Sequence, residues 1–525
     1  MKIAAIDIGT NSVHMVVVEV NPDHGLSVID RQKTMVRLGQ GLFETMRLSE
    51  RAFTDGLDVL RRYVKLAESR GVEEILAVAT SATREAENGT EFLDATFRET
   101  GILPRVISGT EEARLIFLAV RHALDLQQER TLVLDIGGGS VEVSLGTQTA
   151  VYMNESLRLG VQRLLDHHGT SAPLGMRELY ELQGYVHGAA AEVMSQAHKL
   201  RFDRVVGTSG TIRTLGEAAH LATNGAPFRS LNAQTVRRRD IRELTRRLVE
   251  LDPAKRAKIE GIGEARADTI HLGGVLLSEL LEMAEVEELT LCDASLREGV
   301  IWDYLERHGR APTTHAPIPD PRRRSIVELA RKYERDDPRE QHIARLSLEL
   351  FDQTLEIHGF GGYERELLEY AAFVHGVGRH IDYADRHRHS RYIVRNSTLR
   401  GFTDDEIELL GLIVFYHRQE RPKKSHDRLA ALTSEQQRMI KVLSGMLRLA
   451  VALDRGHSQL VKRLRCYVFP ARVDIMVDGP GDLELELLAA RDKLEPLARA
   501  LHRELTIDRT APYSAGDASN RGERD

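Results

Sequence analysis

The chain contains one unusual hairpin twice. IAAIDIGTNSVHMVV stands at its start, and LVLDIGGGSVEVSLG follows much later. The copies align at a constant offset of 128 residues, pairing Asp7 with Asp135, Gly9 with Gly137, Ser12 with Ser140, and His14 with Glu142. Each reads as two apolar strand runs around a turn. The spacing is too long for a solenoid and predicts two related lobes.

Between the copies, helix and strand patterns alternate, which indicates an α/β architecture. LSERAFTDGLDVLRRYVKLAESRG reads as an amphipathic helix ending at Gly71, a residue suited to the position after a helix end. EEILAVAT and PRVIS read as strands, with a helix between them and another over about 110–124. After the second copy, DRVVGTSGTIRTLGEAA reads as strand, Gly-rich turn and helix, and EELTLCDASLREGVIWDYLER has the same order. Four prolines in residues 309–321 mark a linker. Beyond it the pattern is mostly helical, with a strand-like stretch after Cys466. The expected organisation is lobe I over 1–124, lobe II over 125–308, a helical region over 322–508, and a disordered tail over 509–525.

Composition narrows the function. The 525 residues are 42% hydrophobic and 29% charged, as in ordinary soluble proteins. A net charge of -7 argues against a dedicated nucleic-acid binder, which carries a basic stripe. It leaves an anionic small substrate open. Basic clusters at residues 237–239, 322–324 and 386–395 read either as solvated helix faces or as anion grips. Two cysteines, Cys292 and Cys466, cannot form a disulfide framework and suit a reducing compartment. Asp7 interrupts the opening apolar run too early for a secretion signal, and no apolar run spans a membrane. These features predict a cytoplasmic protein.

Five segments carry phosphate chemistry. The turns Gly9-Thr10-Asn11-Ser12 and Gly137-Gly138-Gly139-Ser140 offer backbone N–H groups and hydroxyls to an anion, or are simply tight hairpins. Arg84, in TSATREA after a strand, is a bidentate phosphate ligand or a surface ion-pair partner. Ser209, Gly210 and Thr211 stand where a strand meets a helix, so they bind an anion at a helix N-terminus or supply a plain cap. In SGTEEARLIF, Ser108 and Glu111 fit a capping box, leaving Glu112 free to activate water or to complement the helix dipole. Asp7, Asp135 and Glu142 flank the glycine turns. Mg²⁺ prefers one or two carboxylates with phosphate oxygens and water, so these three are its candidate ligands.

Together these segments, with ESLRLGVQRL and LCDASLREGVIWDY, resemble the exopolyphosphatase and guanosine pentaphosphate phosphohydrolase family over roughly residues 1–310. The resemblance implies an actin-like, RNase H-like core of two lobes that binds phosphates between them. It implies Glu112 as the catalytic base, Asp135 and Glu142 as metal-linked acids, and Arg84 with the turn residues as phosphate ligands. It also implies a homodimer. The helical remainder resembles the HD-like domain of the long members. There His375 is followed by Gly376 rather than aspartate, so the metal-binding pair is broken, although His342, His375 and Asp454 stand at ligand positions.

The expected activity is Mg²⁺-dependent release of the terminal phosphate of inorganic polyphosphate, with guanosine pentaphosphate as the alternative substrate. An actin-like ATPase or sugar kinase shares both turns. A non-catalytic polyphosphate or alarmone sensor is the remaining rival, and retention of Glu112 beside the metal-type acids argues against it.

Overall fold

The computed structural model describes residues 1–20, 26–168, 172–228, 230–308, 320–333, 338–381, 385–418 and 427–510. It divides into two compact units. One holds residues 1–324 with 400–404, the other 325–399 with 405–525.

The first unit is built on two sheets of the same plan. In lobe I, β1 (Lys2–Ile8), β2 (Ser12–Val20), β3 (Leu26–Met35), β4 (Glu74–Ala79) and β5 (Arg105–Val106) run in the order β3-β2-β1-β4-β5. In lobe II, β6 (Thr131–Ile136), β7 (Val141–Gly146), β8 (Val151–Leu157), β9 (Arg204–Thr208), β10 (Thr235–Arg237) and β11 (Glu288–Leu291) run β8-β7-β6-β9-β11-β10. Each sheet begins as an antiparallel meander and continues with a parallel strand beside its first one. β6 and β7 are buried throughout, which explains their unbroken apolar character. The third strands, β3 and β8, were not anticipated from the sequence. β3 is mostly exposed and carries DRQK, so it lacks the apolar run that marks its neighbours.

The Glu50–Ser69 helix ends as the sequence predicts, with Gly71 at φ +67°. Two further helices matter for the site. The Gly109–Ala123 helix and the Leu296–His308 helix meet in a core that includes Leu115, Val120, Ile301 and Trp302. Gly299 permits the approach, because a Cβ there would lie 1.9 Å from the Leu115 carbonyl oxygen. That contact fixes the start of both helices, where Glu112 and Arg297 stand.

The second unit is mainly helical, with a sheet ordered β12 (Arg463–Val468), β13 (Arg472–Asp478), β14 (Glu504–Arg509). β12 begins before Cys466, and β14 falls where the sequence suggested helix. His342, His375 and Asp454 are all buried, and Nε2 of each histidine has no partner among the described residues. His375 Nδ1 bonds the Ala372 carbonyl at 2.7 Å, and Asp454 accepts from Arg339 Nε at 2.8 Å. No group of three or more metal-ligating side chains converges among the described residues. The basic cluster 386–395 is a helix in which Arg391 and Arg395 both pair with Glu408, so it is not an open cationic face there. Most of the 309–321 linker and residues 511–525 of the tail lie outside the described residues. Among those described, no helix is long and apolar enough to cross a membrane.

Candidate active site

The two repeated turns face each other. Across the first ladder of each lobe, Asp7 stands opposite His14 and Asp135 opposite Glu142. Gly9 N–H donates to the Ser12 carbonyl at 3.2 Å, and Gly137 N–H to that of Ser140 at 3.0 Å. The turn carbonyls are tied back into the protein. Thr10 O accepts from Gly39 N, Asn11 O from Val36 and Arg37, Gly137 O from Val161, and Gly138 O from Gln162 and Arg163. Among the described residues, no protein acceptor meets the N–H groups of Thr10, Asn11, Gly138 or Gly139. Such turns form anion-binding concavities. The glycines have a second reason beyond ligand approach. A Cβ on Gly138 would lie 2.9 Å from Thr10 Cβ, and one on Gly139 would lie 2.3 Å from Ser81 Oγ.

A cavity of about 490 Å³ opens between the turns. Asp7, Glu112 and Asp135 line it, as do all the turn residues Gly9 to Ser12 and Gly137 to Ser140. Ser209, Gly210 and Thr211 line it too. Ser209 holds φ +79°, strained for a serine, while its Oγ accepts from Ile212 N at 3.3 Å. The cap and the cavity-lining position therefore coexist.

Two expected residues stand behind this wall. Glu142 is buried and accepts from Ser156 Oγ at 2.8 Å. Arg84 donates to the Ile107 carbonyl at 2.8 Å and pairs with Glu112 at 3.4 Å. Arg84 lines a second cavity of about 460 Å³ with Arg158 and Ser156, and Ser140 belongs to both cavities. The Ser108 hydroxyl caps the Glu112 helix, accepting from Glu111 N. The other half of the expected box is replaced, since Glu111 pairs bidentately with Arg114.

The acids form one electrostatic unit. Burial, then Glu142, raises Glu112 well above the usual carboxylate range, against the pull of Arg84. Burial and Glu142 do the same to Asp135. Burial lifts Glu142 to about 7, and it lifts Asp7 to about 6 although Arg297 opposes it. Buried acids of this kind are relieved either by holding protons or by a bound cation. The donors available are hard oxygens, and the buried Asn11 Oδ1 has no partner among the described residues. This fits Mg²⁺ shared with substrate oxygens and water, rather than a cage made by protein alone.

The cavity is also lined by Arg31, Lys33, Arg213, Arg266 and Arg297. Lys33 is pushed down to about 8 by burial and by Arg266, Arg213 and Arg297. Gly210 admits the Arg266 guanidinium, which lies where its Cβ would be. None of these five was singled out from the sequence. Arg213 and Arg297 were legible within GTSGTIR and LREGV. Lys33 and Arg266 sit in segments without a motif.

The model of the Ppx/GppA phosphatase family matches residues 16–308, and that of Ppx/GppA phosphatase, domain III, matches residues 322–483. The chain belongs to the Ppx/GppA phosphatase family. Its core superposes on the crystal structure of an exopolyphosphatase from Cytophaga hutchinsonii with a TM-score of 0.56 and 27% identity, covering 58% of this chain and 98% of that one. A Ppx/GppA family member from Aquifex aeolicus gives 0.51 and 29%, covering 59% and 99%. An exopolyphosphatase-like protein gives 0.54 and 26%, covering 59% and 100%. The core is thus actin-like, and the chain is a phosphatase-family hydrolase with a mostly helical C-terminal region.

Proposed function

We propose that this chain is a Mg²⁺-dependent exopolyphosphatase that removes terminal phosphates from inorganic polyphosphate. One observation carries the reading. A single cavity is lined by buried acids, by turns with free N–H donors and by a group of cations. The acids and turns suit the reacting phosphoryl group with a metal ion, and the cations suit further phosphates of the same linear anion.

The terminal phosphoryl oxygens accept from the N–H groups of Thr10, Asn11, Gly138 and Gly139 and from the hydroxyls of Ser12, Ser140, Ser209 and Thr211. Glu112 takes a proton from water, whose oxygen bonds to the terminal phosphorus as the bridging P–O bond breaks. Orthophosphate and a chain shorter by one phosphate result. Asp7 and Asp135 would hold Mg²⁺ from the cavity wall, with Glu142 behind them. The bound ion would neutralise charge on the phosphoryl oxygens. Arg84 orients Glu112 and keeps its ionised form accessible. Arg213, Arg266, Lys33 and Arg297 hold the leaving chain. The same reading carries a cytoplasmic location, in keeping with the unbridged Cys292 and Cys466, and a homodimer.

Phosphate release should be measured with Mg²⁺ from long-chain polyphosphate and from guanosine pentaphosphate, side by side. Faster release from the polymer supports the reading. Faster release from the nucleotide transfers the mechanism to the other family substrate. Release from neither rejects it, and ATP turnover alone would favour the kinase-like rival.

A further inference from the structure

The LREGV segment contributes no proton step to the proposed reaction, yet it reaches the phosphate turn. Ser295 Oγ donates to Glu298 Oε2 at 2.8 Å and accepts from Arg297 Nε at 3.2 Å and Nη2 at 2.7 Å. Arg297 Nη1 lies 2.8 Å from His14 Nδ1. His14 Nε2 lies 2.6 Å from Ser12 Oγ.

The direction of every bond in this series is fixed. Glu298 is buried. Burial alone would raise it, but Arg297 and Arg31 prevail and hold it below its usual range. As a carboxylate it only accepts, so Ser295 must donate to it. Arginine only donates, so His14 Nδ1 must be the unprotonated nitrogen. With Nδ1 accepting from Arg297, the ring is neutral and has one proton left to place. Its proton therefore sits on Nε2 and is donated to Ser12 Oγ. The Ser12 hydroxyl hydrogen is displaced from that side, and Ser12 lines the cavity.

We propose that Arg297 and His14 are positioning residues that lock Ser12 as an obligate hydrogen-bond donor to a phosphate oxygen. This rests on the phosphohydrolase reading for its ligand. A serine free to rotate would present a lone pair to the anion part of the time. Here the imidazole occupies a lone pair, and the hydrogen is left for the substrate. His14 touches no reacting atom and acts only through Ser12.

The test has two arms. The first is ¹⁵N NMR of histidine-labelled protein, with the His14 signal assigned by its loss in His14→Gln. The expected signature is a neutral Nε2–H tautomer unchanged from pH 6 to 8, lost in Arg297→Met. A protonated Nδ1 in the unmutated protein overturns the proposal, whatever the variants do. The second arm measures tripolyphosphate affinity by calorimetry in a Glu112→Gln background. Ser12→Ala and His14→Phe should each weaken binding about tenfold, the value of one charge-assisted hydrogen bond. Combined, they should weaken it no further. His14→Gln, whose amide can both donate and accept, should restore most of it. Additive losses, or wild-type affinity in His14→Phe, overturn the proposal. Absence of turnover in the parent enzyme would reject the phosphohydrolase reading instead, and neither arm depends on turnover.

Discussion

His14 and Glu142 occupy the same place in the two copies of the hairpin, each directly across the ladder from an aspartate. One copy puts an imidazole there, backed by Arg297, and the other puts a buried carboxylate among acids. The two halves of the cleft thus differ in charge at one place on an otherwise repeated frame.

On the proposed mechanism, Glu112→Gln keeps the shape of the site and removes the base. Phosphate release should fall by at least about 10²-fold while polyphosphate binding persists. A stopped assay beside equilibrium binding measures both. Retained turnover would move the role of base to another acid.

Asp7 links stability to pH. Below about pH 4 the folded and unfolded chains both hold its proton, and the site costs nothing. As pH rises from the unfolded value of 3.8 to the folded value of about 6, the unfolded chain releases the proton first, so stability falls. Above about 6 the full penalty stands, about 2–3 kcal/mol at 1.36 kcal/mol per unit. Asp7→Asn should therefore raise Tm at pH 8 and leave it unchanged near pH 4. Adding Mg²⁺ should raise the wild-type Tm at pH 8 more than that of the variant. Thermal melts at the two pH values decide this.

Arg213→Ala and Arg266→Ala each remove a cation from the cavity lining. Both should raise KM for long chains several-fold and change kcat little. The penalty should shrink as salt screens the remaining attraction. KM measured against chain length and ionic strength provides the check. A fall in kcat with KM unchanged would place these residues at the reacting phosphorus instead.

Gly138→Ala would press a methyl group to 2.9 Å from Thr10 Cβ and 3.0 Å from Asn11 Cγ. The turns would be forced apart, at a cost of about 1–3 kcal/mol. Activity should fall more steeply than Tm, since in the proposed mechanism donors from both turns grip one phosphoryl group. Gly184→Ala, where a Cβ meets nothing within 4 Å, is the control and should leave activity unchanged.

Much of the glycine-turn lining of the cavity could be read in advance because its residues lie in short runs with local signals. DIGTNS and DIGGGS declare themselves by turn chemistry, and their fixed offset declares the paired lobes. The cationic lining could not be read this way. Lys33 lies on a mostly exposed strand, and Arg266 follows an irregular stretch. They reach one cavity only through the tertiary fold. Arg84 and Glu142 show the opposite difficulty. Their neighbourhood was legible, but not which side of the wall each side chain would take, since a strand or helix position alone does not settle that among crowded buried acids. β14 was read as helix because its ELTIDR is too short to show a period.

The repeated hairpins have a consequence for how such a cleft could arise. One lobe supplies one turn of donors and one aspartate, which is half a site. An ancestor with a single lobe would have had to work as a pair of identical chains, and in such a pair every substitution appears on both sides at once. A histidine in place of one carboxylate would then have removed both. Once two copies existed, selection could change His14 and Glu142 separately, so that the two halves of the cleft no longer had to match.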